Sequence, residues 1–405
     1  MRNLKKFLAL VLALMMTFSL MVTANAAIDT NAAVTDKDSI TEEFKEAVAV
    51  LNGLKIITGY EDSTFRPDKS ISRQEAAALV YRLHSGDADN VKKDLYSTAD
   101  NIAKFKDVDP NGAQQWSAGY IGYCANQEII KGVNASRDRF NPTGNVTGYQ
   151  MLAMVLRAIG YGQRGEYEGD GWQTRVATTA TQLGMLKNID DTNYAGTLSA
   201  PATRELVAEI VFQAALLKQV IWNDAFGYVS KNQITGLELK SLGVEKFNLN
   251  CGNYTVIDKW GRPGYQWFKG SSAIATIKAQ PVKTYDTTVR ECDVAHDLGI
   301  ATNATYSLYV NRNTAITDSY RIEATDTVTK VGGQGRITEF YGNLTNEHNG
   351  STWSKSVVMI DTYLATVTRV TERVVDPAGH EIVPAYLYLD VHDGHGVGAA
   401  NKTTG

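Results

Sequence analysis

Two arginines occupy positions that folding alone disfavours. Arg73 follows Ser72 and Arg204 follows Thr203, each at the start of a stretch that reads as a helix, where the positive end of the macrodipole penalises a cation by roughly a few tenths of a kcal/mol. The chemistry this placement offers is anion recognition. First-turn N–H groups lack intrahelical acceptors, and a guanidinium beside them adds two parallel hydrogen bonds, so together they suit a carboxylate or a phosphate. The competing reading is an arginine that pairs with a neighbouring acid or extends into solvent. Trp116 and Trp172 also admit two readings: core residues, or flat apolar faces at the rim of a groove, each with an indole N–H for a sugar hydroxyl.

Other constellations are weaker. Asp390, His392, Asp393 and His395 could seed a metal site, but His-x-x-His on a glycine-rich tail is more often solvated; no metal and no cofactor are expected. The acids of the C-terminal half, Asp258, Asp286, Glu291, Glu339, Asp361 and Glu372, form no acid/base couple that the sequence alone can pair. The sequence contains no Gly-x-Ser-x-Gly elbow, no His-Glu-x-x-His and no phosphate loop.

The elements that position the arginines and tryptophans form a three-fold repeat. Ile57-Thr58-Gly59, then Phe65-Arg66-Pro67, then Ser72-Arg73-Gln74-Glu75 returns as Ile130-Lys131-Gly132, Phe140-Asn141-Pro142 and Thr147-Gly148-Tyr149-Gln150. It returns more faintly as Leu186-Lys187-Asn188 and Thr203-Arg204-Glu205. Each copy, over 43–83, 116–158 and 172–214, reads as helix, loop, helix. The first helices align Ala47, Val48, Leu51 with Tyr120, Ile121, Cys124 and Val176, Ala177, Ala180. The second align Leu79, Val80, Leu83 with Met154, Val155, Ala158 and Ile210, Val211, Ala214, the spacing of one buried face. Trp116 to Trp172 and Gly148 to Arg204 are the same displacement, so the second and third copies match without a gap. Ser72 with Glu75 and Thr147 with Gln150 are capping boxes; Thr203 caps alone, with Leu206 where the box needs an acid. One small unit repeated implies one modular binding architecture.

Arg2, Lys5 and Lys6 precede an apolar run from Phe7 to Val22, and Ala24-Asn25-Ala26 supplies the small residues of a cleavage site, which reads as a secretory signal peptide over 1–26. No later segment is long and uncharged enough to span a membrane. At 405 residues the chain exceeds one ordinary core, and its net charge of -4 with no basic cluster argues against nucleic acid. Three cysteines do not make a disulfide scaffold. Cys124 aligns with Leu51 and Ala180 and reads as core, whereas Cys251 and Cys292 could pair.

At these residues the chain resembles the S-layer homology family. The resemblance is carried by Phe105-Lys106-Asp107-Val108, Trp116, the run from Gly59 to Pro67 and Ser72-Arg73-Gln74-Glu75. It covers roughly residues 36–218. It implies three copies packed as a pseudo-trimer with grooves between them, and non-covalent attachment to secondary cell-wall polymers, commonly polysaccharides bearing a pyruvate ketal. It further implies that the ketal carboxylate is read by Arg73 and Arg204, with Trp116 and Trp172 as groove walls and with Ser72, Thr147, Thr203, Asp107, Gly59 and Gly132 completing the candidate glycan site. The departures are Gly148 in place of the arginine, Glu43 in place of the first tryptophan and Gly196-Thr197-Leu198 in place of the third Phe-Arg-Pro. They predict one weak or silent groove.

Beyond Lys218 β-branched, period-two runs take over: Thr255 to Ile257, Ala304 to Val310, Thr362 to Thr371 and Tyr386 to Val391. A short helix is expected over 289–298. The piece from Trp260 to Trp267 looks like a feature of uncharacterised β regions that follow such anchors, and carries no activity with it. The expected architecture is multidomain: a signal peptide over 1–26, all-α repeats at 36–86, 103–162 and 166–218, and a mainly-β, sandwich-like domain at 226–405. The tail from Ala399 directly after a strand leaves room for a longer natural chain. The expected function is a non-enzymatic surface protein, anchored to wall polysaccharide, exposing a β domain with a surface-layer or adhesive role and open to self-association. The alternative is a wall-anchored polysaccharide or peptidoglycan hydrolase with its active site in the β domain. A third reading, a membrane barrel, would need regular strands of about ten residues, and the strands here are too few and irregular.

Overall fold

The apolar stripes fold into helices bounded by their own caps. The computed structural model describes residues 29–30, 34–87, 105–189, 193–231, 235–258, 261–285, 306–312, 316–322, 336–361, 364–370, 374–375, 381–383, 387–392 and 402–404. The signal peptide, the helix expected over 289–298, Cys292, Asp393 and His395 lie outside the described residues.

Eight helices are named here: α1 (Lys45–Gly53), α2 (Arg73–Ser85), α3 (Ala118–Asn126), α4 (Gly148–Ala158), α5 (Trp172–Gln182), α6 (Tyr194–Ser199), α7 (Arg204–Leu216) and α8 (Leu242–Phe247). Ser72 and Thr147 close complete capping boxes with Glu75 and Gln150, while Thr203 accepts from the Leu206 N–H alone. Gly86 ends α2 with φ of 76°, a left-handed position that glycine adopts without a Cβ penalty. The aligned stripe residues are buried except Tyr120 and Ala177, which are partly exposed. Cys124 is a core residue, and burial pushes its thiol well above the ordinary range.

The three copies exchange partners. The first helix of each copy packs on the second helix of the copy before it, α3 on α2, α5 on α4 and α1 on α7, while α2, α4 and α7 meet one another. At their common end three backbone hydrogen bonds run in a cycle: Ile71 N–H to Ala202 carbonyl at 3.2 Å, Ala202 N–H to Val146 carbonyl at 2.8 Å, and Val146 N–H to Ile71 carbonyl at 3.0 Å. These residues immediately precede the three caps, so the cycle fixes where each second helix starts relative to the others.

The chain divides into two compact units. One comprises Ala27–Gly252 with Gln266–Ile277; the other includes Asn253–Tyr265 and Lys278–Gly405. The helical unit therefore continues past the last repeat, through a hairpin of β1 (Ile221–Asn223) and β2 (Gly227–Val229) and through α8, which packs on α7 and α2. Trp267 lies edge-on to Phe212 of α7, with ring centroids 5.6 Å apart. Among the described residues no helix is long and apolar enough to cross a membrane.

Buried within α7, Glu209 is 1% exposed. One carboxylate oxygen accepts from Asn188 Nδ2 at 2.9 Å and Gln213 Nε2 at 2.7 Å, and the other has no partner among the described residues. Burial pushes the carboxyl up to about 7 from an ordinary 4.5. Between those values the folded chain holds a proton that the unfolded chain has released, so stability falls as pH rises from 4.5 to about 7. Glu209→Gln should remove that slope. The variant is expected to gain on the order of 2 kcal/mol at pH above about 8 and nothing near pH 4, read as thermal midpoints across pH.

The other unit contains small antiparallel sheets. Arg336–Tyr341 is the centre of one, flanked by Lys283–Tyr285 and Ser356–Asp361. Tyr306–Arg312 pairs with Ile316–Ile322, and Leu387–His392 lies between Leu364–Val370 and Lys402–Thr404. Two facing layers are not shown by the described residues. Glu339, 1% exposed, accepts from Arg262 Nε and Nη2, both at 2.8 Å, and from the Tyr341 hydroxyl at 2.8 Å. Asp258 adds a 3.4 Å contact to Arg262. The hydrogen bond to Glu339 raises the guanidinium still further above neutrality, and burial with the carboxylate charge holds the Tyr341 phenol neutral.

Candidate functional site

Arg73 and Arg204 start their helices as N1 residues, yet their backbone N–H groups are not free for a ligand. Arg73 N–H donates to Gly144 carbonyl at 2.9 Å and Gln74 N–H to Pro142 carbonyl at 3.0 Å; Arg204 and Glu205 donate to Lys69 and Pro67 carbonyls at 3.0 and 3.2 Å. The expectation that first-turn N–H groups receive an anion is corrected here: the neighbouring copy's loop takes them.

The guanidiniums are also partly committed. Arg73, 4% exposed, donates Nε to Phe140 carbonyl at 2.7 Å and Nη2 to Lys131 carbonyl at 3.1 Å. Arg204, 8% exposed, repeats the pattern on Phe65 at 2.7 Å and Thr58 at 2.9 Å. The two arginines lie 4.6 and 5.0 Å over the rings of those same phenylalanines. A guanidinium carries five N–H donors and these carbonyls use two; at Arg204 the Tyr60 side chain adds a further hydrogen bond, and each arginine keeps donors beyond these. Burial lowers Arg73 to about 10 and lowers Arg204, and both stay cationic at neutral pH.

Each arginine lines a cavity that takes its walls from all three copies. The Arg73 cavity, 460 Å³, includes Lys131 and Gly132 of the second copy and Trp172 of the third. The Arg204 cavity, 90 Å³, includes Thr58 of the first and Trp116 of the second. Trp116 is 46% exposed and lies in the turn before α3, whereas half-buried Trp172 is the first residue of α5. The third cavity, 1110 Å³, has Lys187 and Asn188 of the third copy and Glu43 at the tryptophan position. Its arginine position is Gly148, where an added Cβ would come 2.8 Å from Leu198. Gly196 to Leu198, which aligned with the loop, belongs to the short helix α6. The losses scattered over all three copies in the sequence thus fall in one groove.

Charge separates the grooves better than size. The Arg73 cavity is lined by four cations, Arg73, Lys131, Arg137 and Arg157, against Glu168; the Arg204 cavity by Arg82 and Arg204 against Glu75. The largest of these three cavities has Lys187 against Glu43 and Glu205, so the roomiest groove is the one least suited to an anion. Glu168 braces the Arg73 groove through Arg137 at 2.6 Å, and Arg157 donates to the Tyr167 carbonyl at 3.0 Å.

The remaining candidates support this geometry. Asp107 accepts from Phe140 and Asn141 N–H, both at 2.8 Å, and clamps the loop whose carbonyl holds Arg73; Asp36 does the same for Phe65 and Arg66 at 2.7 Å. Ser72, Thr147 and Thr203 spend their side chains on helix caps, though Thr203 also borders the large cavity. Gly132 lines the Arg73 groove where the chain doubles back: a Cβ would stand 2.4 Å from the Arg137 carbonyl oxygen. At Gly59 the nearest approach is 3.1 Å, to the Thr64 carbonyl oxygen. Sequence reasoning missed Lys131, Arg137 and Arg157. Lys131 stands inside the repeated loop motif, which was the available signal; Arg137 and Arg157 carry none.

The S-layer homology domain family model matches residues 35–77 and 104–152. Among curated proteins, the middle cell wall protein of Brevibacillus brevis is 28% identical over 156 residues, 38% of this chain and 13% of that one. The surface layer protein of Brevibacillus choshinensis is 28% identical over 151 residues, 37% and 12% of the two chains. A cell surface protein of Thermoanaerobacter kivui is 30% identical over 191 residues, 47% and 22%. The match thus covers less than a quarter of the length of each of these relatives.

Proposed function

The chain is an S-layer homology domain protein, related to surface-layer and cell-wall proteins, and on that premise we propose that it is an exported bacterial surface protein anchored non-covalently to the wall's secondary polysaccharide. Three such repeats, the third at 166–218, act as one anchor. Two grooves hold acidic groups of the polymer, a pyruvate ketal fitting best, and the third is silent toward anions. The observation that carries this reading is the meeting of a buried arginine, a loop from a second copy and a tryptophan from the third in two cavities. Trp116 and Trp172 would wall the sugar ring while Arg73 and Arg204 hold the carboxylate.

The β portion, sandwich-like in this proposal, is presented outward in a surface layer or in adhesion, with self-association the means of layer growth. In this proposal the role is non-enzymatic; among the described residues of that portion, the buried acid Glu339 has its carboxylate engaged by Arg262 and Tyr341, which favours a structural part for it.

The test uses the mature chain and purified, protein-free walls of the producing strain. Sedimentation should carry most of the protein down with untreated walls and little with walls from which mild acid has removed the ketal. Equal binding to both would overturn carboxylate recognition.

A further inference from the structure

We propose that the β1–β2 hairpin and the chain segment after α4 form a second subsite, an aromatic platform on which a neutral sugar of the wall polymer stacks. The proposal rests on the anchoring function argued above and adds a place outside its grooves.

The hairpin is tight and preorganised. Trp222 faces Tyr228 in register, and Gly227 turns the tip with φ of 75°. Asn223 Oδ1 accepts from the N–H groups of Ala225 and Phe226 at 2.9 and 3.1 Å. Val220 N–H bonds the Ile159 carbonyl at 2.9 Å, which ties the hairpin to the end of α4. The Tyr228 hydroxyl donates to Glu166 at 2.7 Å and accepts from Gln163 N–H at 3.0 Å. Trp222 and Tyr228 meet edge-on with centroids 5.1 Å apart, and Tyr161 lies 4.8 Å from Tyr228.

This small cluster holds the hairpin without Phe226, which is 73% exposed at the tip. The ordered turn thus presents the Phe226 ring to water on the same hairpin that carries Trp222 and Tyr228. Arg164, 5.0 Å over Trp222, faces Asp224 at 3.6 Å, and Glu166 adds a second carboxylate, so an uncharged occupant suits the place better than an acid. Apolar rings fringed by amide, carboxylate and guanidinium groups match a sugar ring, which has an apolar face and a hydroxyl edge. A stable protein partner would need roughly 20–30 residues a side, and the platform has far fewer. Its position favours the same polymer: Arg164 is three residues from Tyr167, which lines the Arg73 groove, and three residues span at most about 11 Å.

The deciding variant is Phe226→Ala, whose exposed ring can be removed with the fold intact; Trp222→Phe, which keeps an aromatic face, is the control. Binding isotherms of the mature chain are measured on untreated and on acid-stripped, protein-free walls. Phe226→Ala should weaken binding about tenfold on both, the loss that truncating an interface aromatic commonly brings, and Trp222→Phe should bind within about threefold of wild type. Unchanged binding by Phe226→Ala on both walls overturns the platform. A loss confined to untreated walls also overturns it, since the ring would then serve the acid and not a neutral sugar. Failure of the groove reading has a separate signature: wild type would bind both walls equally, whatever Phe226→Ala does.

Discussion

Lysine at both Arg73 and Arg204 is expected to lower binding to untreated walls about a hundredfold while the chain stays folded. Each guanidinium performs two tasks, bracing loop carbonyls at 2.7 to 3.1 Å and offering its remaining N–H groups to the groove. A lysine ammonium keeps the charge and can satisfy one carbonyl, but one nitrogen cannot bridge both carbonyls and also clasp an acid in parallel. A hydrogen bond to a charged group is worth roughly 1.5–3 kcal/mol; with part recovered by the retained charge, each groove should lose about tenfold. Alanine would strand two carbonyls in each loop and confound binding with stability. Sedimentation isotherms alongside thermal melts separate the two effects. A double lysine variant that binds like the parent would remove both side chains from recognition.

Glu339→Gln should cost about 3 kcal/mol of stability and leave wall binding within about twofold. The carboxylate is almost fully buried and receives three hydrogen bonds. The amide returns one acceptor and turns an NH2 toward the Arg262 fork, leaving a half-buried cation with only the longer 3.4 Å contact to Asp258. Urea midpoints followed by intrinsic fluorescence would read the loss. A change under about 0.5 kcal/mol would rank this pair with ordinary surface ion pairs.

What the sequence revealed depended on range. Capping boxes at Ser72 and Thr147 and the 3.6-residue stripes are local signals, and the helices start and bury as they predict. The β-branched runs likewise lie in strands at Thr255–Val256, Tyr306–Arg312, Leu364–Val370 and Leu387–His392. The helix-end arginines were visible as an electrostatic anomaly. Their partners were not, because the carbonyl that Arg204 braces at Thr58 is 146 residues away and the cycle through Ile71, Val146 and Ala202 has no local pattern. The same distance effect hid the corrected detail: the first-turn N–H groups looked unsatisfied because their acceptors sit in another copy. Gly196 to Leu198 aligned as a loop and forms helix α6 instead, since alignment matches position and not the local backbone.

Because each arginine-lined groove borrows from every copy, the anchor has no graded intermediate. The first copy gives Arg73 to one groove and Thr58 to the other, the second gives Lys131 and Trp116, and the third gives Trp172 and Arg204. Deleting any single copy dismantles both at once, so retention on the wall plotted against repeat number should be a step. Conversely, the chain can carry three departures, Glu43, Gly148 and the run from Gly196 to Leu198, at the expense of one groove alone, since damage is tallied by groove and not by copy.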